Sequence, residues 1–195
     1  MSRVERVFID TNELFPFTVM DVLLTLSEDR LFDWMWTDEV LDEWERVIVR
    51  EKKRTASSAQ SVTAAVRHGF ASTRLDPATY RHLITDDLSP DAADRAHVAA
   101  CISGSVDVVL TRNAKDFPID RLALGDVRVR TSDDYLVELL VHRPRAVQES
   151  VTRLAASRTQ PSMTRCELVA RIDKAGAHAF AARLGHRFNC GTFGS

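Results

Sequence analysis

The sequence predicts an α/β protein: a central parallel sheet flanked by helices, with a C-terminal helical extension. Three observations predict it. Four short apolar runs rich in β-branched or aromatic residues fall in the first two thirds of the chain, helical repeats separate most of them, and beyond Ser132 only helical patterns remain.

The run RVFID, Arg6 to Asp10, has the character of a buried strand passing into a helix start at TNEL. From Glu13 to Leu26 the residues Leu14, Phe17, Val19, Leu23, Leu24 and Leu26 recur at helical spacing, with Pro16 tolerated near the first turn. LFDWMW, Leu31 to Trp36, is short and aromatic, as a second buried strand would be. Thr37 is placed to cap a helix, DEVLDEWERVIVR, whose first turn is acidic and so suits the helix dipole. Further helical patterns span about 58–70 and open at Asp76-Pro77. Ser89-Pro90 repeats that start signal ahead of DAADRAHVAACIS, which Gly104 closes. VDVVLT, Val106 to Thr111, is the most strand-like run of all, and Val127 to Thr131 supplies another. Helical patterns then fill about 132–142, 145–157, 164–174 and 177–184. The expected organisation is a sheet-bearing domain over 1–131, a helical extension over 132–188 and a tail, NCGTFGS, at 189–195 with the character of a disordered end.

The composition, 45% hydrophobic and 28% charged, is that of a globular protein. No apolar run approaches the roughly 18 residues of a membrane span and no signal region precedes the first strand, so a cytoplasmic protein is expected. Cys101, Cys166 and Cys190 are odd in number and widely spaced, which suggests reduced thiols, with Cys101 in the core. The net charge of −2 hides an asymmetry. Residues 1–130 carry 17 Lys and Arg against 22 Asp and Glu, whereas residues 131–195 carry 9 against 6. Composition alone does not announce a nucleic-acid binder, because affinity for phosphate comes largely from Lys and Arg.

Ligands of open parallel sheets bind at the carboxyl ends of the strands. Asp10 stands there, and Asp116 lies in the turn TRNAKDF just past the third main strand. Thr111 and Asn113 on that turn can hydrogen-bond a carboxylate or a phosphate, and Arg112 is the cation placed to touch a phosphate. Asp91 and Asp94 open the helix after Ser89-Pro90. Asp94 is the site candidate, since its neighbours Ala93, His97, Val98 and Cys101 form a packing face, and His97 reads as a packed or supporting histidine. Glu43 is the inward acid of its helix, flanked by Val40, Leu41, Trp44 and Val47. Each acid alone has an ordinary explanation as a helix cap or a solvated turn. Four carboxylates within about 5 Å would instead repel by about 3 kcal/mol per charged pair and would need a cation. Oxygen ligands without His or Cys favour Mg²⁺ or Mn²⁺ over zinc, and such ions activate water against a phosphodiester.

FIDTNEL resembles the first-strand D-T-N motif of PIN-domain nucleases. DEVLDEWERV, PDAADRAHVAAC and VVLTRNAKDF resemble, in order, the segments that supply the other three acids of that family. The resemblance covers roughly residues 6–130. It implies the PIN-like parallel sheet and a Mg²⁺- or Mn²⁺-dependent endoribonuclease. It also implies metal-site roles for Asp10, Asp94 and Asp116, a catalytic or metal-bridging role for Glu43, and substrate-binding or supporting roles for Thr11, Asn12, Thr111, Arg112 and Asn113. The size is similar to that of VapC-type toxins of toxin-antitoxin pairs, in a longer subgroup with a C-terminal extension. That similarity implies an RNA substrate and a small antitoxin partner, and leaves a homodimer open. A housekeeping RNA-processing nuclease and a non-cutting PIN-like binding module are the alternatives. A phosphoacceptor regulatory domain fits poorly, because the required Asp at the end of its third strand is missing.

Overall fold

The computed structural model describes residues 3–117 and 127–191, apart from the side chain of Asp116. The chain forms two compact units, one of residues 1–15 and 32–130, the other of residues 16–31 and 131–195.

The first unit is built on four parallel strands: β1 (Arg6–Ile9), β2 (Asp33–Met35), β3 (Val108–Leu110) and β4 (Arg128–Arg130), in the order β2-β1-β3-β4. Val7, Phe8, Ile9 and all of β3 are fully buried, the pattern of strands covered on both faces, whereas β4 at the sheet edge is only half-buried. Ile9 is in register with Leu110, and the Asp10 amide donates to the Leu110 carbonyl at 2.9 Å. Asp10 and Thr111 therefore leave the sheet side by side, at the point where the strand order reverses.

The helices of this unit are α1 (Thr11–Leu14), α3 (Asp38–Arg50), α4 (Ala56–Gly69), the single-turn α5 (Pro77–Tyr80) and α6 (Arg95–Ser103). Thr37 caps α3 as expected, its hydroxyl accepting from the Val40 amide. Val40, Leu41, Trp44 and Ile48 form the buried stripe of α3, and the Trp44 indole donates to the Leu14 carbonyl at 3.0 Å, fixing α3 against α1. Gly104 closes α6 as expected. A Cβ there would lie 2.8 Å from the Ala100 carbonyl oxygen and 2.9 Å from Leu75, so only glycine fits this close approach.

The second unit comprises α2 (Phe17–Glu28), α7 (Ser132–His142), α8 (Pro144–Ser157), α9 (Arg165–Lys174) and α10 (His178–Phe188). α2 packs on α8 and α9, and Asp29 just past its end accepts from Ser150 and Arg153. Asp133 accepts from the amides of Ala179 and Phe180, so a carboxylate of α7 holds the start of α10. A Thr164–Glu167 capping box opens α9.

Three expectations are corrected. The helix expected from Glu13 to Leu26 is two helices, because Pro16 lacks an N–H, takes an extended conformation (ψ 97°) and starts α2 anew. Ser89-Pro90 does not begin an α-helix. The Asp91 carboxylate accepts from the Ala93 amide at 2.9 Å, a local turn that delays the helix to Arg95. Cys166 and Cys190 are not reduced thiols but a disulfide bridging α9 to the residues after α10. Their separation of 24 residues hid the pairing, which the hairpin of α9 and α10 brings about with Cα atoms 5.5 Å apart. Cys101 is the buried free thiol expected. Asn189 ends α10 in the left-handed conformation, and residues 192–195 of the expected tail lie outside the described residues. No helix among the described residues is long and apolar enough to cross a membrane.

Candidate functional site

Asp10 and Asp94 both hold N-cap positions, of α1 and α6, and neither side chain makes a capping hydrogen bond. The ordinary explanation for an acid at such a position therefore fails for both. Asp10 is only 6% exposed, and its carboxylate accepts from the Thr111 hydroxyl at 2.7 Å and from the Asn12 amide. Asn12 also donates to the Thr111 hydroxyl at 3.2 Å and accepts from the Arg112 amide at 3.1 Å, while the Asn113 amide donates to the Thr111 hydroxyl. The D-T-N turn and the turn after β3 are thus laced together through side chains, and one Asp10 oxygen is held in place.

The other polar atoms that converge here belong to Asp94 and His97. Asp10, Asp94 and His97 each present a ligand atom, and all three atoms lie within 4.8 Å of one another. His97 is 2% exposed, its ring lies 5.8 Å from that of Phe8, and among the described residues its Nδ1 has no hydrogen-bond partner. The nearest carboxylate oxygen, Asp94 Oδ1, is 3.7 Å away, too long for a hydrogen bond. Two carboxylates and a buried imidazole, one of whose nitrogens has no hydrogen-bond partner among the described residues, are a donor set suited to a divalent cation. Ligands at about 2.1 Å from one ion stand up to about 4.2 Å apart, so the cluster closes on an ion with small movements. His97, read from the sequence as a packed or supporting histidine, is packed, and it joins the two carboxylates as a further candidate ligand. A ligand role for it was not assigned from the sequence because a lone histidine on a helix face that packs against a sheet is more often plain core; its position one turn beyond Asp94 was the available signal.

Electrostatics agree with this geometry. Burial is the main reason that the Asp10 carboxyl is pushed up to about 6; the Thr111 hydrogen bond and His97 oppose the rise, and Asp94 and Glu43 add to it. For His97, burial disfavours the charged ring, but Asp94, Asp10 and Glu43 together outweigh it and raise its pKa.

Glu43 is the acid of α3 that faces this site. Its carboxylate accepts from the Thr11 hydroxyl at 3.1 Å, and its charge is felt at both Asp10 and His97. It is not among the three groups within 4.8 Å. Its neighbours on α3 are engaged elsewhere: Asp38 with Arg74 and Arg67, Glu39 with Tyr80 and Arg81, Asp42 with Arg67, and Glu45 with Thr63. Asp91 is exposed and spent on its own turn. Asp116 ends the short turn Ala114–Asp116 after β3, and its side chain lies outside the described residues. Arg112 is half exposed and lies against Glu13 at 3.4 Å, a carboxylate that is 1% exposed and that sequence reasoning passed over. Glu13 follows Asp10 by three residues, the spacing of a capping box, which was the signal for it.

A parallel α/β sheet with carboxylates and an imidazole gathered at its strand ends defines a class. Residues 6–115, more than half of the chain, match the family described as PIN domain, and the chain belongs to that family. PIN domains are generally nucleases. Residues 132–186 match a second family, the VapC50 C-terminal domain. Together the two matches are those of a VapC-like PIN toxin with a C-terminal extension. No curated protein and no solved structure matches the chain.

Proposed function

We propose that the chain is a divalent-metal-dependent endoribonuclease, the toxin of a toxin-antitoxin pair. The observation that carries this reading is the convergence of ligand atoms of Asp10, Asp94 and His97 within 4.8 Å, from two N-cap positions whose carboxylates do no capping and a buried ring whose Nδ1 has no hydrogen-bond partner among the described residues. Asp10, Asp94 and His97 would hold the ion, with Asp116 the expected further ligand. When bound, a divalent cation supplies Lewis acidity and charge neutralisation to a phosphodiester. Two carboxylates suit Mg²⁺ or Mn²⁺, and the nitrogen donor tips the choice toward Mn²⁺. Thr111 and Asn12 orient Asp10, so we read them as positioning residues more than as substrate contacts. Thr11 orients Glu43, whose half-buried carboxylate can take a proton from the attacking water or return one to the leaving oxygen. Arg112 swings between Glu13 and a phosphate.

The test is cleavage of single-stranded and structured RNA by the purified chain. Cleavage should require Mn²⁺ or Mg²⁺, stop with excess chelator and be lost in Asp94→Asn. Undiminished cleavage in excess chelator sinks the metal mechanism. For the toxin reading, the wild type should arrest bacterial growth, Asp10→Asn should relieve the arrest, and a small neighbouring protein should neutralise it. Equal tolerance of both forms at equal protein levels removes the toxin and leaves the nuclease.

A further inference from the structure

The second unit carries a groove that the proposed chemistry does not use. One part, a cavity of about 780 Å³, lies between α7, α8 and α10, with Arg183, His186 and Arg187 on its α10 wall. A second part, of about 500 Å³, lies between α8, α9 and α10, with Arg145, Arg153 and Arg165 around it. Gln148 lines both, so the two run together along the exposed stripe of α8.

The charges are one-sided. Glu149 is the one carboxylate among the lining residues. Arg153 is taken by Asp29, and Arg165 lies over the Phe188 ring at 4.9 Å. Among the described residues, Arg145, Arg165, Arg183 and Arg187 have no carboxylate within ion-pair distance. Four of the six acids of residues 131–195 are used near helix ends instead: Asp133 on the start of α10, Asp134 on Thr131, Glu167 in its capping box and Asp173 on His178. The stripe from Arg145 to Ala156 runs about 16 Å at the helical rise, the axial length of about five nucleotides.

We propose that this groove binds the sugar-phosphate backbone of RNA, making the C-terminal helices a docking surface for the nucleic acid. That the polyanion is RNA rests on the nuclease reading above. The charge distribution gives the reason for such a surface. With 17 Lys and Arg against 22 Asp and Glu, formally −5, residues 1–130 repel a polyphosphate, whereas residues 131–195, with 9 against 6, are formally +3. Free guanidiniums, an arginine stacked on an aromatic ring and the polar Gln148 and Thr152 form a lining that grips phosphates without reading sequence.

The experiment uses the full chain in chelator, so that no cleavage occurs, and a fluorescently labelled single-stranded RNA of about 20 nucleotides titrated over a range of salt. Each phosphate contact contributes about 0.7 to the slope of log affinity against log salt, or about fivefold in affinity between 1 M and 0.1 M. The double variant R183Q/R187Q should lose about 1.4 from the slope and bind about 25-fold more weakly at 0.1 M salt, with an unchanged Tm. R145Q/R165Q, on other helices, should do the same and guards against one pair misfolding. Unchanged affinity and slope in both pairs overturns the proposal. Loss of a co-purifying protein by these variants, with RNA affinity kept, overturns it equally and makes the groove a protein interface. Weakened RNA binding in a chain that never cleaves would support the groove and sink the nuclease; intact cleavage with unchanged binding would do the reverse.

Discussion

Replacing Asp10 by asparagine should make the metal-free protein more stable at alkaline pH than the wild type, and the size of the effect follows from burial. The fold pushes the Asp10 carboxyl from 3.8 to about 6, so it favours the protonated form. A group raised in this way lends its stabilisation fully below the unfolded pKa and loses it as pH rises through the folded one. A shift of about two pH units corresponds to about 3 kcal/mol in all, of which about 1.4 kcal/mol is lost between pH 5 and pH 8. The amide cannot ionise, and its oxygen can still accept from the Thr111 hydroxyl and the Asn12 amide that now hold Asp10. The Tm of Asp10→Asn minus that of the wild type, in chelator, should therefore be about 3–6 °C larger at pH 8 than at pH 5. Taking the difference at each pH cancels the titrations that do not depend on Asp10; the His97 pKa, which Asp10 helps to raise, is raised less in the variant and adds to the same trend. Mn²⁺ at pH 8 should then raise the wild-type Tm, by about 2.7 kcal/mol of stabilisation at a hundredfold excess over its Kd, and the variant's much less. A Tm difference that does not change between pH 5 and pH 8 would refute the claim that burial beside other acids raises the Asp10 carboxyl to about 6.

Two further outcomes concern the candidate ligand Asp94 and the disulfide. Asp94→Asn should lose most of the Mn²⁺-induced rise in Tm, whereas Asp91→Asn, whose carboxylate only closes its own turn, should keep it; thermal melts with and without metal decide, and the reverse result would move the site to Asp91. Reducing the Cys166–Cys190 bridge, or Cys190→Ser, should destabilise the C-terminal helices by up to about 3.5 kcal/mol from loop entropy, measured by denaturant unfolding under oxidising and reducing conditions, and identical unfolding in both would contradict the bridge.

Much of the fold was legible because its signals are local. The wholly apolar, β-branched VVL of β3 and the VFI of β1 read naturally as strands covered on both faces, and Thr37 and Asp76-Pro77 announce their helices by side chains that bond within three residues. The failures are equally physical. Ser89-Pro90 looks like Asp76-Pro77, but the Asp91 side chain satisfies an amide two residues on and the turn persists to Asp94. The acids of α3 could be ranked by helical face but not matched to Arg67, Arg74, Tyr80 or Thr63, because those partners arrive from other elements. Asp10 beside Thr111 requires β1 to neighbour β3, a choice of sheet order, and His97 shows its free nitrogen only once α6 is laid on β1.

The second unit is assembled from two stretches far apart in the chain, and this bears on its birth. α2 leaves the ribosome early with Val19, Met20, Leu23 and Leu26 among the residues it buries in the fold, yet the helices it packs on, α8 and α9, follow more than a hundred residues later. At about 5–20 residues per second, that apolar helix waits some 6–30 s for its partners. It is exposed meanwhile to chaperones and to other nascent chains. A chain cut short after residue 131 never ends the wait, so removing the C-terminal helices strands α2 instead of releasing a clean catalytic fragment.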